Sequence, residues 1–96
     1  MQIEIMTFRL RPGTPEAEFL AVDRRVQTEF AYQQPGMIRR TTGRNPDGTW
    51  VVIDLWASAA DAANYVGGWN REPAPLALMS LVDDATVVTQ AFETLD

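Results

Sequence analysis

Asp54 lies in the run Val51-Val52-Ile53-Asp54-Leu55-Trp56, a single carboxylate among apolar residues. A carboxyl held on a strand among apolar neighbours loses solvation, keeps its proton longer and becomes a general base near neutral pH. A second reading competes with this one. Arg40 directly across the sheet would pair with Asp54, lower its pKa and make it structural. Tyr65 and Asn70 add a hydroxyl and an amide, donors suited to a phenolic or enolate oxygen. Against that stand a solvent-facing helix tyrosine and a linker amide that closes its own turn. Trp56 and Trp69 could wall a pocket for a flat ligand. Trp56 equally suits core or interface packing, and Trp69, which follows Gly67-Gly68, suits a mobile lid. Trp50 with Arg44 reads as a cation–π pair at the rim. The candidate catalytic residues are therefore Asp54, Tyr65 and Asn70. The candidate ligand-binding residues are Trp56, Trp69 and Arg40.

Other chemistries are poorly served. The chain has no histidine and no cysteine, so it offers no nucleophilic triad with a histidine base and none of the usual soft metal ligands. Asp83-Asp84 lacks the alternating oxygen ligands of a calcium loop, and no metal is expected. Gly67-Gly68 ends a helical pattern instead of opening one, so it is not a phosphate cradle. Net charge is −5, and all eight basic residues are arginines. They concentrate in residues 1–44, which carry +2, whereas residues 45–96 carry −7. An acidic chain without a basic stripe argues against nucleic acid and against anionic membrane surfaces. No apolar run approaches the ~18 residues of a membrane span, and Met1-Gln2-Ile3-Glu4-Ile5 alternates, unlike a signal peptide. A cytoplasmic protein is expected.

The elements that must position these residues follow from period and punctuation. Residues 2–10 alternate as a strand with Ile3 and Ile5 on one face and Met6, Phe8 and Leu10 on the other. Thr14-Pro15 starts a helix, with threonine as N-cap and proline at the first helical position. Its stripe is Phe19, Val22, Val26 and Phe30, and it ends before Pro35-Gly36. Strands 37–44 and 49–56 flank Asn45-Pro46-Asp47-Gly48, a type I turn with glycine in the left-handed position that follows. Pairing Asn45 with Thr49 sets Arg40 opposite Asp54, Ile38 opposite Trp56, Thr42 opposite Val52 and Arg44 opposite Trp50. The other face, with Thr41, Val51, Ile53 and Leu55, is expected to receive the helices. Ser58 caps the next helix with Asp61 as its reciprocal partner. Gly67-Gly68 ends that helix, residues 69–75 form a linker, and Leu76, Met79 and Val82 mark a short third helical segment. Residues 85–94 form the last strand. The order β-α-β-β-α-(α)-β is the split βαβ, ferredoxin-like arrangement of an α+β domain with a four-stranded antiparallel sheet, one domain over residues 1–96.

Asp54-Leu55-Trp56-Ala57-Ser58 before an alanine-rich helix resembles the acidic-x-Trp-x-Ser/Asp signature of antibiotic-biosynthesis-monooxygenase-like proteins in the dimeric α+β barrel superfamily. Gln34-Pro35-Gly36 resembles their x-Pro-Gly approach to the second strand. The resemblance implies a homodimer in which two four-stranded sheets close into a barrel. It implies a cofactor-free oxygenase or cyclase acting on a small aromatic or polyketide-type ligand, with the pocket between sheet and helices. Many such proteins carry a histidine nine residues after the tryptophan and a polar residue about five later. Tyr65 and Asn70 stand at those positions here, so the haem ligand of the haem-degrading branch is absent. The alternative is a non-catalytic dimeric domain that binds a small ligand or is purely structural. The homodimer is expected on physical grounds too, because ~96 residues make a marginal core and both sheet faces are partly apolar.

Overall fold

The turn at Asn45-Pro46-Asp47-Gly48 forms as its residues dictate. The Gly48 amide donates to the Asn45 carbonyl at 3.2 Å, and the Asn45 amide donates to the Thr49 carbonyl at 2.9 Å. Gly48 takes φ +92°, which only glycine adopts without strain. The Asn45 side chain accepts from the Asp47 and Thr49 amides and locks the loop. The computed structural model describes residues 1–96. It runs β1 (Gln2–Leu10), α1 (Glu16–Glu29), a 3₁₀ turn (Ala31–Gln33), β2 (Met37–Arg44), β3 (Trp50–Trp56), α2 (Ala59–Trp69), α3 (Pro73–Met79) and β4 (Val82–Glu93). The four strands form one antiparallel sheet in the order β2-β3-β1-β4. This is the ferredoxin-like α+β fold read from the sequence.

The predicted register holds for Arg40–Asp54, Thr42–Val52 and Arg44–Trp50. It fails at Ile38. Met37 stands opposite Trp56 instead, because the ladder shifts between Met37 and Arg39. The predicted helix-bearing face is also reversed. Trp50, Val52, Asp54 and Trp56 are buried on the same side as Arg40 and Phe8, whereas Ile53 is exposed and Val51 and Leu55 are half-buried. The helices cover the mixed face because its two tryptophans bury more apolar area than the aliphatic side chains opposite, and Arg40 and Asp54 are buried with them.

Three helix boundaries differ from expectation, each for a local reason. Thr14 belongs to a turn, its amide donating to the Arg11 carbonyl, so Pro15 takes the N-cap position of α1 and no side chain caps it. Helix α2 continues through Gly67-Gly68 to Trp69. A Cβ on Gly68 would lie 3.0 Å from the Phe30 ring, so this glycine serves close packing and not termination. The predicted linker at 69–75 contains the start of α3, where Pro73 opens the helix with its φ already set. The Ser58 cap forms as expected: its hydroxyl oxygen accepts from the Asp61 amide at 3.1 Å and its proton goes to the Asp61 carboxylate at 2.8 Å. The last strand begins at Val82, earlier than expected, because Asp83 pairs with Arg9 across the sheet.

The core has two parts on the helix side of the sheet. One joins Phe8, Phe19, Val26, Trp50, Val52, Ala74, Leu78 and Val82, and the other joins Phe30, Ala31, Trp56, Ala62 and Tyr65. Along β3 the helix-facing row is Trp50, Val52, Asp54, Trp56, so Asp54 interrupts the apolar surface between them. The opposite sheet face carries Ile3, Ile5, Val51, Ile53, Leu55, Val88 and Phe92 with no helix over it, and Ile53, Val88 and Phe92 are exposed.

Candidate active site

A cavity of about 270 Å³ lies between helix α2 and the sheet. Strand β1 supplies Glu4 and Met6, β3 supplies Val52 and Asp54, and α2 supplies Ala62, Tyr65, Val66 and Trp69, with Thr89 from β4. The lining is mainly apolar, and its ionisable groups are two carboxyls and a phenol. The volume falls just under the ~300 Å³ at which drug-sized pockets begin, which suits a ligand of a few fused rings or fewer.

The aromatic side of the cavity is a packed set. Tyr65 contacts Trp56 with ring centroids 4.7 Å apart, Phe30 at 5.0 Å and Trp69 at 5.5 Å. Such tilted and stacked arrangements fix ring orientation. Trp69, half-buried, reaches the cavity because α2 runs on past its glycines. The i, i+4 spacing of Tyr65 and Trp69 sets both on one helix face.

The polar side is a buried network. Arg40 is 2% exposed, and its guanidinium donates to Asp23 Oδ1 on α1 at 2.8 Å and to Gln27 Oε1 at 3.2 Å. Its Nε stands 3.8 Å from Asp54 Oδ1, too far for a hydrogen bond, and both atoms lack a hydrogen-bond partner. Asp54 therefore has a cation beside it but no hydrogen bond from that cation. Burial raises its pKa to about 6, against the opposing pull of Arg40 and with help from the negative charges of Glu4 and Asp23. Arg40 is near enough to form an ion pair but is committed to Asp23, and desolvation dominates at Asp54.

The Tyr65 hydroxyl is also buried and without a partner of good geometry, although the Arg40 guanidinium is close. Burial, and then the charge of Asp54, raise its pKa, so it remains a protonated donor at neutral pH. The Trp56 Nε1 is likewise unpartnered. Buried polar atoms without partners are uncommon, and several together beside a cavity mark a place where a polar ligand atom or water completes the network.

Of the six residues singled out from the sequence, Asp54, Tyr65 and Trp69 meet at the cavity. Trp56 is fully buried behind Tyr65 and supports the wall without lining it. Arg40 sits behind Asp54 and lines a separate shallow cleft between α1 and β2. Asn70 is exposed at the C-cap of α2 and does not line the cavity, because the helix turns its side chain position away from the Tyr65–Trp69 face. Arg44 stands 5.8 Å over the Trp50 ring, as its cross-strand position predicts. Sequence reasoning missed Asp23. Its signal was available: it is four residues after Phe19 and three before Val26, on the buried stripe of α1.

No family model matches the sequence, and no curated protein matches it. Solved structures do match in fold. SnoaB, a cofactor-independent oxygenase from Streptomyces nogalater, superposes with a TM-score of 0.80 at 24% identity, over 99% of this chain and 93% of SnoaB. A proposed antibiotic biosynthesis monooxygenase from Caulobacter crescentus CB15 gives 0.81 at 18% identity, over 99% and 90% of the two chains. Another from Nitrosomonas europaea gives 0.74 at 17% identity, with both chains covered fully. The fold is therefore that of the antibiotic-biosynthesis-monooxygenase-like proteins that the sequence resembles. No helix is long and apolar enough to cross a membrane.

Proposed function

We propose that the chain is a cofactor-independent oxygenase for a small, neutral aromatic or polyketide-type substrate, with Asp54 as the base. The observation that carries this reading is a buried carboxyl without a hydrogen-bond partner at Oδ1, its pKa raised to about 6, on the floor of an apolar cavity with a buried hydroxyl donor beside it. Such an oxygenase needs an enclosed pocket, a base and a donor for the substrate anion. Asp54 takes a proton from an activated ring methylene, and Tyr65 donates to the adjoining oxygen as charge moves onto it. The carbanion reduces dioxygen by one electron, and the two radicals combine as a peroxide that Asp54 reprotonates. Loss of the second C–H proton and the terminal hydroxyl as water leaves a carbonyl. The sum is one methylene and one dioxygen giving one carbonyl and one water. Trp69 and Tyr65 flank the rings.

The chain functions as a homodimer in this reading. The open sheet face bearing Ile53, Val88 and Phe92 has the apolar character of an obligate interface, and a second copy would cover it as the two sheets close into a barrel. The absence of histidine favours a second reading, in which the same cavity holds its ligand without turnover. Oxygen uptake with anthrone and hydroquinone substrates separates the two. The oxygenase reading expects uptake above background that rises with pH about a midpoint near 6 and falls ~10²–10⁴-fold in Asp54→Asn. Binding of these compounds with uptake at background, unchanged in the variant, would leave only the non-catalytic reading.

A further inference from the structure

We propose that Asp23 is a positioning residue: it holds the Arg40 guanidinium against helix α1 and thereby keeps Asp54 without a hydrogen bond from it and free to act as a base. The inference rests on the reading of Asp54 given above, but its geometry is independent of the substrate. Arg40 projects from β2 directly across from Asp54, the place from which an arginine ordinarily neutralises a cross-strand carboxylate. Here its Nε stays 3.8 Å from Asp54, too far for a hydrogen bond. The guanidinium reaches past Asp54 to Asp23, at 2.8 Å and with both side chains almost wholly buried, and Gln27 on the next turn of α1 accepts from its other terminal nitrogen at 3.2 Å. One arginine thus faces two buried carboxylates and hydrogen-bonds only the one on the helix.

The consequence follows from what surrounds Asp54. Glu4 is its cross-strand partner on β1, Arg40 faces it from β2, Asp23 acts from α1 and Tyr65 from α2, while β4 offers only the uncharged Thr89 at the cavity. Arg40 is the sole cation among them. Whichever carboxylate holds it determines which one is left without a hydrogen-bonded cation. The α1 helix makes this choice, so the docking of α1 on the sheet is coupled to the chemistry of a site lined by α2.

The test is direct titration of Asp54 by carbon-13 NMR of labelled aspartate carboxyls, which requires no turnover. In Asp23→Asn, Arg40 loses its ionic partner and Asp54 becomes the only carboxylate in reach. Its titration midpoint should then fall by about one pH unit or more, because Arg40, 3.8 Å away in the wild type, is free to close to hydrogen-bonding distance and the negative charge of Asp23 is gone. Gln27→Glu should act oppositely: a second carboxylate on α1 holds Arg40 more firmly and raises the Asp54 midpoint. The two variants change different positions and in opposite directions, so a folding defect in one leaves the other decisive. A midpoint that stays within ~0.3 pH unit of wild type in whichever variant folds would overturn the inference. If the wild type consumes no oxygen but the midpoints move as stated, the oxygenase reading fails and the positioning role stands. If it does consume oxygen, the acidic limb of its pH profile should move with the Asp54 midpoint while the plateau rate changes less.

Discussion

Replacing Asp54 with asparagine should stabilise the protein at alkaline pH and lose that advantage in acid. An aspartate in an unfolded chain titrates near 3.8, and burial raises Asp54 to about 6 in the folded protein. The folded state therefore binds the proton more tightly than the unfolded state. The sign is opposite to that of the usual salt-bridged aspartate: the contribution is neutral below about pH 3.8, and stability falls as pH rises from there to about 6, then levels off. Each pH unit separating the folded and unfolded midpoints is worth ~1.36 kcal/mol, so the full difference is about 3 kcal/mol, and the part falling between pH 4 and pH 8 is about 2–2.5 kcal/mol. The asparagine variant cannot ionise at this position and escapes that cost. Urea unfolding of both proteins, at equal protein concentration, should give a variant-minus-wild-type stability about 2 kcal/mol more favourable at pH 8 than at pH 4. Changes in packing or hydrogen bonding caused by the amide do not depend on pH and cancel in that comparison, as do the carboxylates that do not interact with Asp54. If the difference is the same at both pH values, Asp54 is not raised. If it changes in the other direction, Arg40 neutralises Asp54 after all, and the reading of it as a base is refuted.

Three further outcomes test other parts of the structure. Tyr65→Phe removes a buried hydroxyl that has no partner, so unfolding free energy should change by less than ~1 kcal/mol while oxygen uptake falls ~10²–10³-fold, as for loss of one oxyanion donor. Arg40→Met should destabilise by ~3–5 kcal/mol at pH 8, because it leaves Asp23 and Asp54 buried without a cation, and by less at pH 5, where Asp54 is mostly protonated; thermal melts at the two pH values measure this. Light scattering at micromolar concentration should give about twice the 10.7 kDa chain mass, and Ile53→Arg, on the open sheet face, should return it to the monomer value.

What the sequence disclosed and what it hid divide along physical lines. Local signals with a stereochemical cause were legible: the Asn45-Pro46-Asp47-Gly48 turn, the Ser58–Asp61 cap and the strand periodicities led to the topology and to the Arg40–Asp54 register. Signals that depend on what packs against them were not. Gly67-Gly68 reads as a stop, yet Gly68 is there because the Phe30 ring approaches within 3.0 Å of where a Cβ would stand, and the helix runs on to deliver Trp69 to the cavity. The sheet faces were reversed for a related reason. A row of Trp50, Val52, Asp54 and Trp56 looks amphipathic only if Asp54 is assumed to seek water.

The most consequential feature was the least accessible. Register alone set Arg40 across from Asp54, and pairing was the natural expectation from it. Whether that pair closes depends on a difference between 2.8 Å and 3.8 Å, set by where α1 comes to rest on the sheet. A cross-strand relation is fixed by the backbone, but the competition for a single guanidinium is fixed by tertiary packing. Asp23, the residue that wins it, carried only one trace in the sequence: an acid on the apolar stripe of α1, between Phe19 and Val26. An ionisable group on a buried stripe requires a buried partner of opposite charge. Arg40, set on the same sheet face as Asp54 by the hairpin register, is that partner once the helices are seen to cover this face and not the one expected. Taken together, those two constraints imply that Asp23 and Asp54 contend for one cation, and that one of them must be left short.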